Sequence, residues 1–166
     1  MIIIETLGGE LWGKVFKNPT DCREEGQEVT GIFQHSCDVK GRLFIPARLR
    51  DELGSAFFVT LSMENCLSAY SDENWGKFEE KFDAMSRENK NKMRPLFSHA
   101  ARCELDGQGR ILLPQALRDF AGLKKNVTVV GAGDCAQFWD SETWAATDAG
   151  ETTAENIAAV FRELEF

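Results

Sequence analysis

The sequence predicts an α+β, β-rich fold made of two tandem hairpin, short helix, hairpin units with helices flanking them, and three observations predict it. The first is an internal repeat: Cys37-Asp-Val-Lys-Gly-Arg-Leu-Phe-Ile-Pro-Ala-Arg-Leu-Arg-Asp51 returns as Leu105-Asp-Gly-Gln-Gly-Arg-Ile-Leu-Leu-Pro-Gln-Ala-Leu-Arg-Asp119. At an offset of 68 this aligns Asp38 with Asp106, Gly41 with Gly109, Arg42 with Arg110, Pro46 with Pro114, Arg50 with Arg118 and Gly54 with Gly122. The match continues from Val59-Thr60 to Val127-Thr128 and, after a one-residue shift, from Cys66, Tyr70 and Trp75 to Cys135, Trp139 and Trp144. The second observation is that each copy opens on Asp-x-x-Gly between apolar runs, a turn in which the Asp accepts backbone hydrogen bonds and the Gly takes positive φ. The third is the punctuation after each turn, a Pro, then leucines at helical spacing, then a Gly.

In chain order, residues 1–28 carry 3 basic and 6 acidic groups, lack periodicity and have no counterpart in the repeat. They are expected to be either a disordered extension or a translated ribosome-binding site (Glu24 to Glu28) ahead of a true start at Val29, and in both cases dispensable. The first unit with its linker helix is expected over 29–97, the second over 98–148. Within each, Asp38/Gly41 and Asp106/Gly109 form the turn, and Arg42 and Arg110 begin the returning strand. Pro46 and Pro114 suit the first turn of a helix whose inner face is Leu49/Leu53 or Leu117/Ala121, and Gly54 and Gly122 stop it. Strands are expected at Phe57 to Leu61, Cys66 to Tyr70, Val127 to Val130 and Ala136 to Trp139. Ser71 or Asp72 caps a linker helix with Trp75, Phe78, Phe82 and Met85 on one stripe, and Pro95 is expected to interrupt any helix that follows. Over 149–166 an amphipathic helix carries Ile157, Val160, Phe161 and Leu164.

Composition narrows the function. The chain has 166 residues, 43% hydrophobic, with no apolar run near the roughly 20 residues of a membrane helix. A cytoplasmic protein is expected. The five cysteines, Cys22, Cys37, Cys66, Cys103 and Cys135, lack CxxC or histidine spacing, so reduced, mostly buried thiols are expected and no metal or cofactor is called for. The net charge of -8 argues against nucleic acid, yet His35 to Arg50 holds Lys40, Arg42, Arg48 and Arg50 against Asp38 alone, a local +3.

The paired Asp-x-x-Gly-Arg turns, each followed by a Pro and a short Arg-bearing helix, resemble the MraZ family and, more distantly, the AbrB-like swapped-hairpin transcription factors. The resemblance runs from about Val29 to Trp144. It implies a pseudo-twofold swapped-hairpin barrel and a ring-shaped homo-oligomer. It also implies nucleoid-associated binding to repeated double-stranded promoter elements of the division and cell-wall gene cluster, the protein's own promoter among them. Arg42 and Arg110 are the implied DNA contacts, with Lys40, Arg48, Arg50 and Arg118 as further candidates. An Arg at the base of a rigid turn suits this role, because its planar fork pairs with guanine edges or phosphate oxygens. The alternative is that each Arg braces its own Asp.

No catalytic residue is predicted. Val127 to Ala136 contains GxGxxA after a strand, but that fingerprint needs a helix starting at the glycines, and Ala136 to Trp139 reads as a second strand. His35 is expected on the exposed face of a strand and His99 in the linker. A non-enzymatic, antitoxin-like or structural partner-binding oligomer is the competing reading, and no small-molecule substrate is expected. Two further expectations follow. The first copy should dominate DNA affinity, because Gln108 and Ala116 replace Lys40 and Arg48 and Glu104 joins Asp106. Assembly should cover the stripes on the Trp75 helix and the tail.

Overall fold

A computed structural model describes residues 29–165. The expectations for residues 1–28, with Cys22, lie outside the described residues. The first copy supplies β1 (Val29–Ser36), β2 (Arg42–Phe44), α1 (Ala47–Leu53), β3 (Ala56–Leu61) and β4 (Leu67–Ser71), and α2 (Asp72–Asp83) and α3 (Arg87–Ser98) follow. The second copy supplies β5 (Ala101–Glu104), β6 (Arg110–Leu112), α4 (Gln115–Phe120), β7 (Asn126–Gly133) and β8 (Ala136–Asp140), ahead of α5 (Ser141–Glu151) and α6 (Ala154–Glu163). The α+β class is as predicted, and so is the succession of turn, returning strand, short helix and two further strands in each copy, whereas α3 and the division of the C-terminal segment into α5 and α6 were not expected.

Strand pairing crosses between the copies. One antiparallel sheet runs β1-β7-β8-β4-β3-β5, and a second pairs β2 with β6. Neither sheet closes, so the architecture among the described residues is an open sheet with β1 and β5 at its edges rather than a closed barrel. The two arms of each turn meet only locally, as in the Cys37 to Leu43 bridge, and then pair with strands of the other copy. Equivalent residues face each other at two places, Leu43 opposite Ile111 and Ser68 opposite Gln137. At both places the copies pair symmetrically.

The register corrects the alignment of the third strands. Phe57 pairs with Cys103, and the equivalent of Cys103, His35, pairs with Val127, so Phe57 corresponds to Val127 at an offset of 70. The burial patterns agree, because Phe57 and Val59 are buried as Val127 and Val129 are. Helices α1 and α4 still match at 68, so the second copy has gained two residues, Leu123 and Lys124, between Gly122 and the strand.

The core joins the two copies. Leu43, Ile45, Leu49 and Leu53 meet Ile111, Leu113, Leu117 and Ala121, with Phe57, Val59, Val129 and Phe138 of the large sheet in the same cluster. Each of the larger aliphatic side chains, fully buried, contributes roughly 1.5–3 kcal/mol relative to exposure. Pro46 and Pro114 are the cap residues one place before the helices, and the Pro46 carbonyl accepts the first helical bond from Arg50 N–H.

Two expectations about the linker are overturned. The Trp75, Phe78 and Phe82 stripe of α2 is covered by its own chain: Trp75 stacks on Phe58 with ring centroids 4.8 Å apart, and Phe97 of α3 sits 5.4 Å from Phe78 and 4.2 Å from Phe82. Pro95 lies inside α3 rather than ending a helix. The Phe97 contacts and the bond donated by the Thr60 hydroxyl to the Leu96 carbonyl hold the last turn to the sheet. This packing offsets the lost Pro N–H bond. Ser71 caps α2 by accepting the Asn74 N–H.

GxGxxA lies on β7 and its turn, with β8 starting at Ala136, so no helix begins at the glycines. Cys37, Cys66, Cys103 and Cys135 are free and buried, and burial pushes the last three thiols up to about 11. Among the described residues no group of three or more His, Cys, Asp or Glu side chains could hold a metal ion, and no helix is long and apolar enough to cross a membrane.

Candidate functional site

Both turns are built from the same bonds. In the first, Gly41 N–H donates to the Asp38 carbonyl (2.9 Å), while Asp38 Oδ1 accepts the N–H groups of Lys40 (2.9 Å) and Arg42 (3.0 Å). In the second, Asp106 takes the same bonds from Gly109, Gln108 and Arg110 at 2.8–3.0 Å. The other carboxylate oxygen receives the arginine: Arg42 Nε donates to Asp38 Oδ2 at 2.6 Å and Arg110 Nε to Asp106 Oδ2 at 2.9 Å. The brace weighed as an alternative is therefore present in both turns. The backbone N–H of the Arg, then the guanidinium and the neighbouring N–H, hold each Asp carboxyl below its ordinary value.

Gly41 and Gly109 have φ of 86° and 75°, and each meets an arginine from the opposite copy. A Cβ at Gly41 would lie 2.7 Å from Arg118 Cζ, and one at Gly109 2.5 Å from Arg50 Nη1. Only glycine combines this backbone with so close an approach. Arg50 and Arg118 thus pack beneath the turns. Arg50 Cζ also lies 5.3 Å from the Phe44 ring centroid, and Arg118 Nε donates to the Leu113 carbonyl. Backbone bonds lock the copies together here, Ile45 N–H to the Gly109 carbonyl and Leu113 N–H to the Gly41 carbonyl, both 2.9 Å.

The β2–β6 ribbon sets the direction of the turn arginines. Successive residues of a strand alternate faces, and paired residues share one. Leu43 and Ile111, opposite each other and 0% and 1% exposed, mark the core face. Arg42 opposite Leu112, and Phe44 opposite Arg110, therefore share the outer face. Arg42 and Arg110 retain 38% and 28% side-chain exposure despite their ion pairs. The result is a two-stranded ribbon with an arginine at each end of one diagonal.

The remaining candidates divide. Lys40 is exposed at the first turn, whereas Arg48 is engaged on the outer side of α1, donating to Thr30 Oγ1 at 2.9 Å. His35 is half-buried rather than exposed, 5.0 Å from the Phe44 ring, and burial lowers its pKa. His99 follows α3, with Nδ1 3.0 Å from the Pro95 carbonyl oxygen.

Sequence reasoning missed a cleft of about 540 Å³ beside the first turn, lined by Cys37 and Asp38 and by Arg118, Lys124 and Lys125 of the second copy. Burial raises the Cys37 thiol against the opposing pull of Arg118. The lysine pair was visible, but the alignment at 68 hid that it belongs to an inserted connection.

The sequence matches the model of a family described as "MraZ protein, putative antitoxin-like" twice, over residues 29–94 and 96–163. A protein of Heliobacterium modesticaldum named transcriptional regulator MraZ is 45% identical over 118 residues, 69% of this chain and 82% of the relative. Relatives of the same name from Acetivibrio thermocellus and Caldicellulosiruptor saccharolyticus are 42% and 38% identical, spanning 77% and 82% of this chain and 92% and 98% of their own lengths.

Proposed function

Because the chain belongs to the MraZ family, we propose that it is a non-enzymatic transcriptional regulator that binds double-stranded DNA through its two Asp-x-x-x-Arg turns. The observation that carries this reading is the diagonal placement of Arg42 and Arg110 on the outer face of the β2–β6 ribbon. A B-DNA major groove admits a two-stranded ribbon, and a guanidinium reads guanine O6 and N7 there. The Asp brace supports the role, since an arginine already held by its carboxylate loses less freedom on binding. The relatives' shared name points the same way.

The finer reading has the protein act in the cytoplasm, at the nucleoid, as a homo-oligomeric ring on repeated promoter elements, its own among them, ahead of the division and cell-wall genes. Its units are 29–97 and 98–148 as an intertwined swapped-hairpin pair, followed by a C-terminal segment from 149 onward that takes in the end of α5 and all of α6. The family description favours one competitor, an antitoxin-like partner binder whose turn arginines would be dispensable.

Binding to duplex from upstream of the protein's operon, compared with unrelated duplex at the same salt, tests the proposal. Preferential binding is expected. Arg42→Ala should cost about 1–3 kcal/mol per engaged site and relax the preference. Arg110→Ala should cost less, because Lys40, Lys124 and Lys125 all flank the first turn. Equal binding to both duplexes, or wild-type affinity in Arg42→Ala, overturns it.

A further inference from the structure

The two turns have different surroundings, and the difference comes from the inserted residues. In the first copy Gly54 leads through Ser55 alone into β3, and the Ser55 carbonyl accepts the N–H of Leu105 beside the second turn (2.9 Å). In the second copy Leu123, Lys124 and Lys125 stand between Gly122 and β7, and the Lys125 carbonyl accepts the N–H of Cys37 beside the first turn (2.8 Å). Lys125 thus takes the place of Ser55, and Lys124 has no counterpart. Leu123 packs against the core, which anchors the longer connection.

Cross-pairing delivers this connection to the opposite copy's turn. The cleft there is lined by Arg118, Lys124 and Lys125 of the second copy and by Cys37, Asp38 and Val39 of the first turn. Lys125 is exposed, and it is tied to the turn through its carbonyl, so its ammonium is not used in that bond. Lys124 Nζ lies 2.8 Å from Glu142 Oε2, an ion pair with both partners largely exposed, of a kind readily exchanged for a phosphate. Among the described residues the negative groups that meet these cations or the turn are Asp38, already paired with Arg42, Glu142, and the buried Asp140, whose Oδ2 accepts the Lys124 N–H at 3.3 Å. At the second turn the same place is held by Ser55, with Glu104 at the adjoining end of β5.

We propose that Lys124 and Lys125, with Arg118 beneath them, hold a phosphate of the DNA backbone in the cleft beside the first turn, so that the second copy supplies the grip for the arginine of the first. The inference rests on the DNA-binding reading above and adds an orientation to it. Phosphate contacts fix register and carry no sequence information, while base edges are read by Arg42. A duplex is held at one end of the ribbon diagonal by an arginine with a phosphate clamp and at the other by an arginine without one.

The test uses the full chain with Lys125→Ser, which installs the first copy's residue and keeps the carbonyl bond, Lys124→Gln, and the double variant. All should melt as wild type does, since both side chains are exposed. The slope of log affinity against log salt should become shallower by about 0.9 for each phosphate that an engaged turn no longer neutralises, with the ratio of operon to unrelated duplex unchanged. Ser55→Lys should steepen the slope. A double variant with the wild-type slope, while Arg42→Ala still weakens binding, overturns this inference and leaves the DNA reading intact. No DNA binding by wild type overturns the reading beneath it. Inorganic phosphate that raises wild-type Tm through these lysines, with the DNA slope unchanged in the double variant, assigns the cleft to a free anion and also overturns it.

Discussion

Asp38 and Asp106 each order an arginine and close a turn with the same carboxylate, so their charge is the point at which pH reaches the site. Both carboxyls are held below the ordinary aspartate value of 3.8, first by the backbone N–H of Arg42 or Arg110. As pH falls, the unfolded chain therefore takes up protons before the folded one. The stabilisation is complete above about 3.8 and is lost as pH drops through the lower folded value. Carboxyl titrations followed by NMR should show both midpoints below 3.8, with the Arg42 and Arg110 amides equally protected at pH 7 and pH 5. Asp38→Asn keeps an acceptor for the backbone but not the charge, and should abolish this acid step in the first turn alone. A midpoint at or above 3.8 would contradict the brace. This part of the site was legible in the sequence because Asp, Gly and Arg act within five consecutive positions. Lys124 and Lys125 were not, because the turn they flank lies in the other copy and only strand register shows the connection between them.

At the scale of elements, local signals held wherever the partner was local. Turn, capped helix and returning strand all fall where their residues placed them. Pro95 is the counterexample, since propensity ends the helix there while the contacts of Phe97 with Phe78 and Phe82 carry it on. Cross-copy pairing also makes demands that the sequence states only as a glycine. Gly131 of β7 faces Gly31 of β1, and a Cβ there would lie 2.5 Å from the Thr30 backbone N and Cα. Backbone cannot yield as a side chain can, so Gly131→Ala should destabilise by about 1–3 kcal/mol. For a chain of this size that lowers Tm by about 2–4 °C per kcal/mol. Gly76→Ala is the contrast, because Gly76 lies inside α2 with nothing within 4 Å of its added Cβ. It should stabilise by roughly 0.5–1 kcal/mol. Equal melting temperatures for the two variants would mean that β1 gives way and that its pairing with β7 is loose.

Over the whole molecule, an acidic chain of net charge -8 that binds DNA as proposed would do so through a small basic face, and repetition of that face is a direct way to hold a polyanion. The apolar surface bears on this. Of the two stripes expected to seek a partner, the one on α2 is spent inside the chain, whereas on α6 Ile157 and Val160, with Leu164 just beyond, stay exposed. A capped helix whose apolar side faces water is stable mainly once another surface covers it, and copies of this chain are the occupants that would also multiply the turns. Light scattering at micromolar concentration should therefore report an assembly. Ile157→Gln with Val160→Gln, chosen because glutamine keeps helix propensity, should shift it to lower mass with Tm nearly unchanged within each chain. The smaller species engages fewer turns at once, so its DNA affinity should fall far more than any single contact explains, and its salt slope should flatten with it. A wild-type chain that stays monomeric, or a double variant that assembles and binds DNA as wild type does, would assign the α6 face to some other partner and leave each ribbon to bind alone.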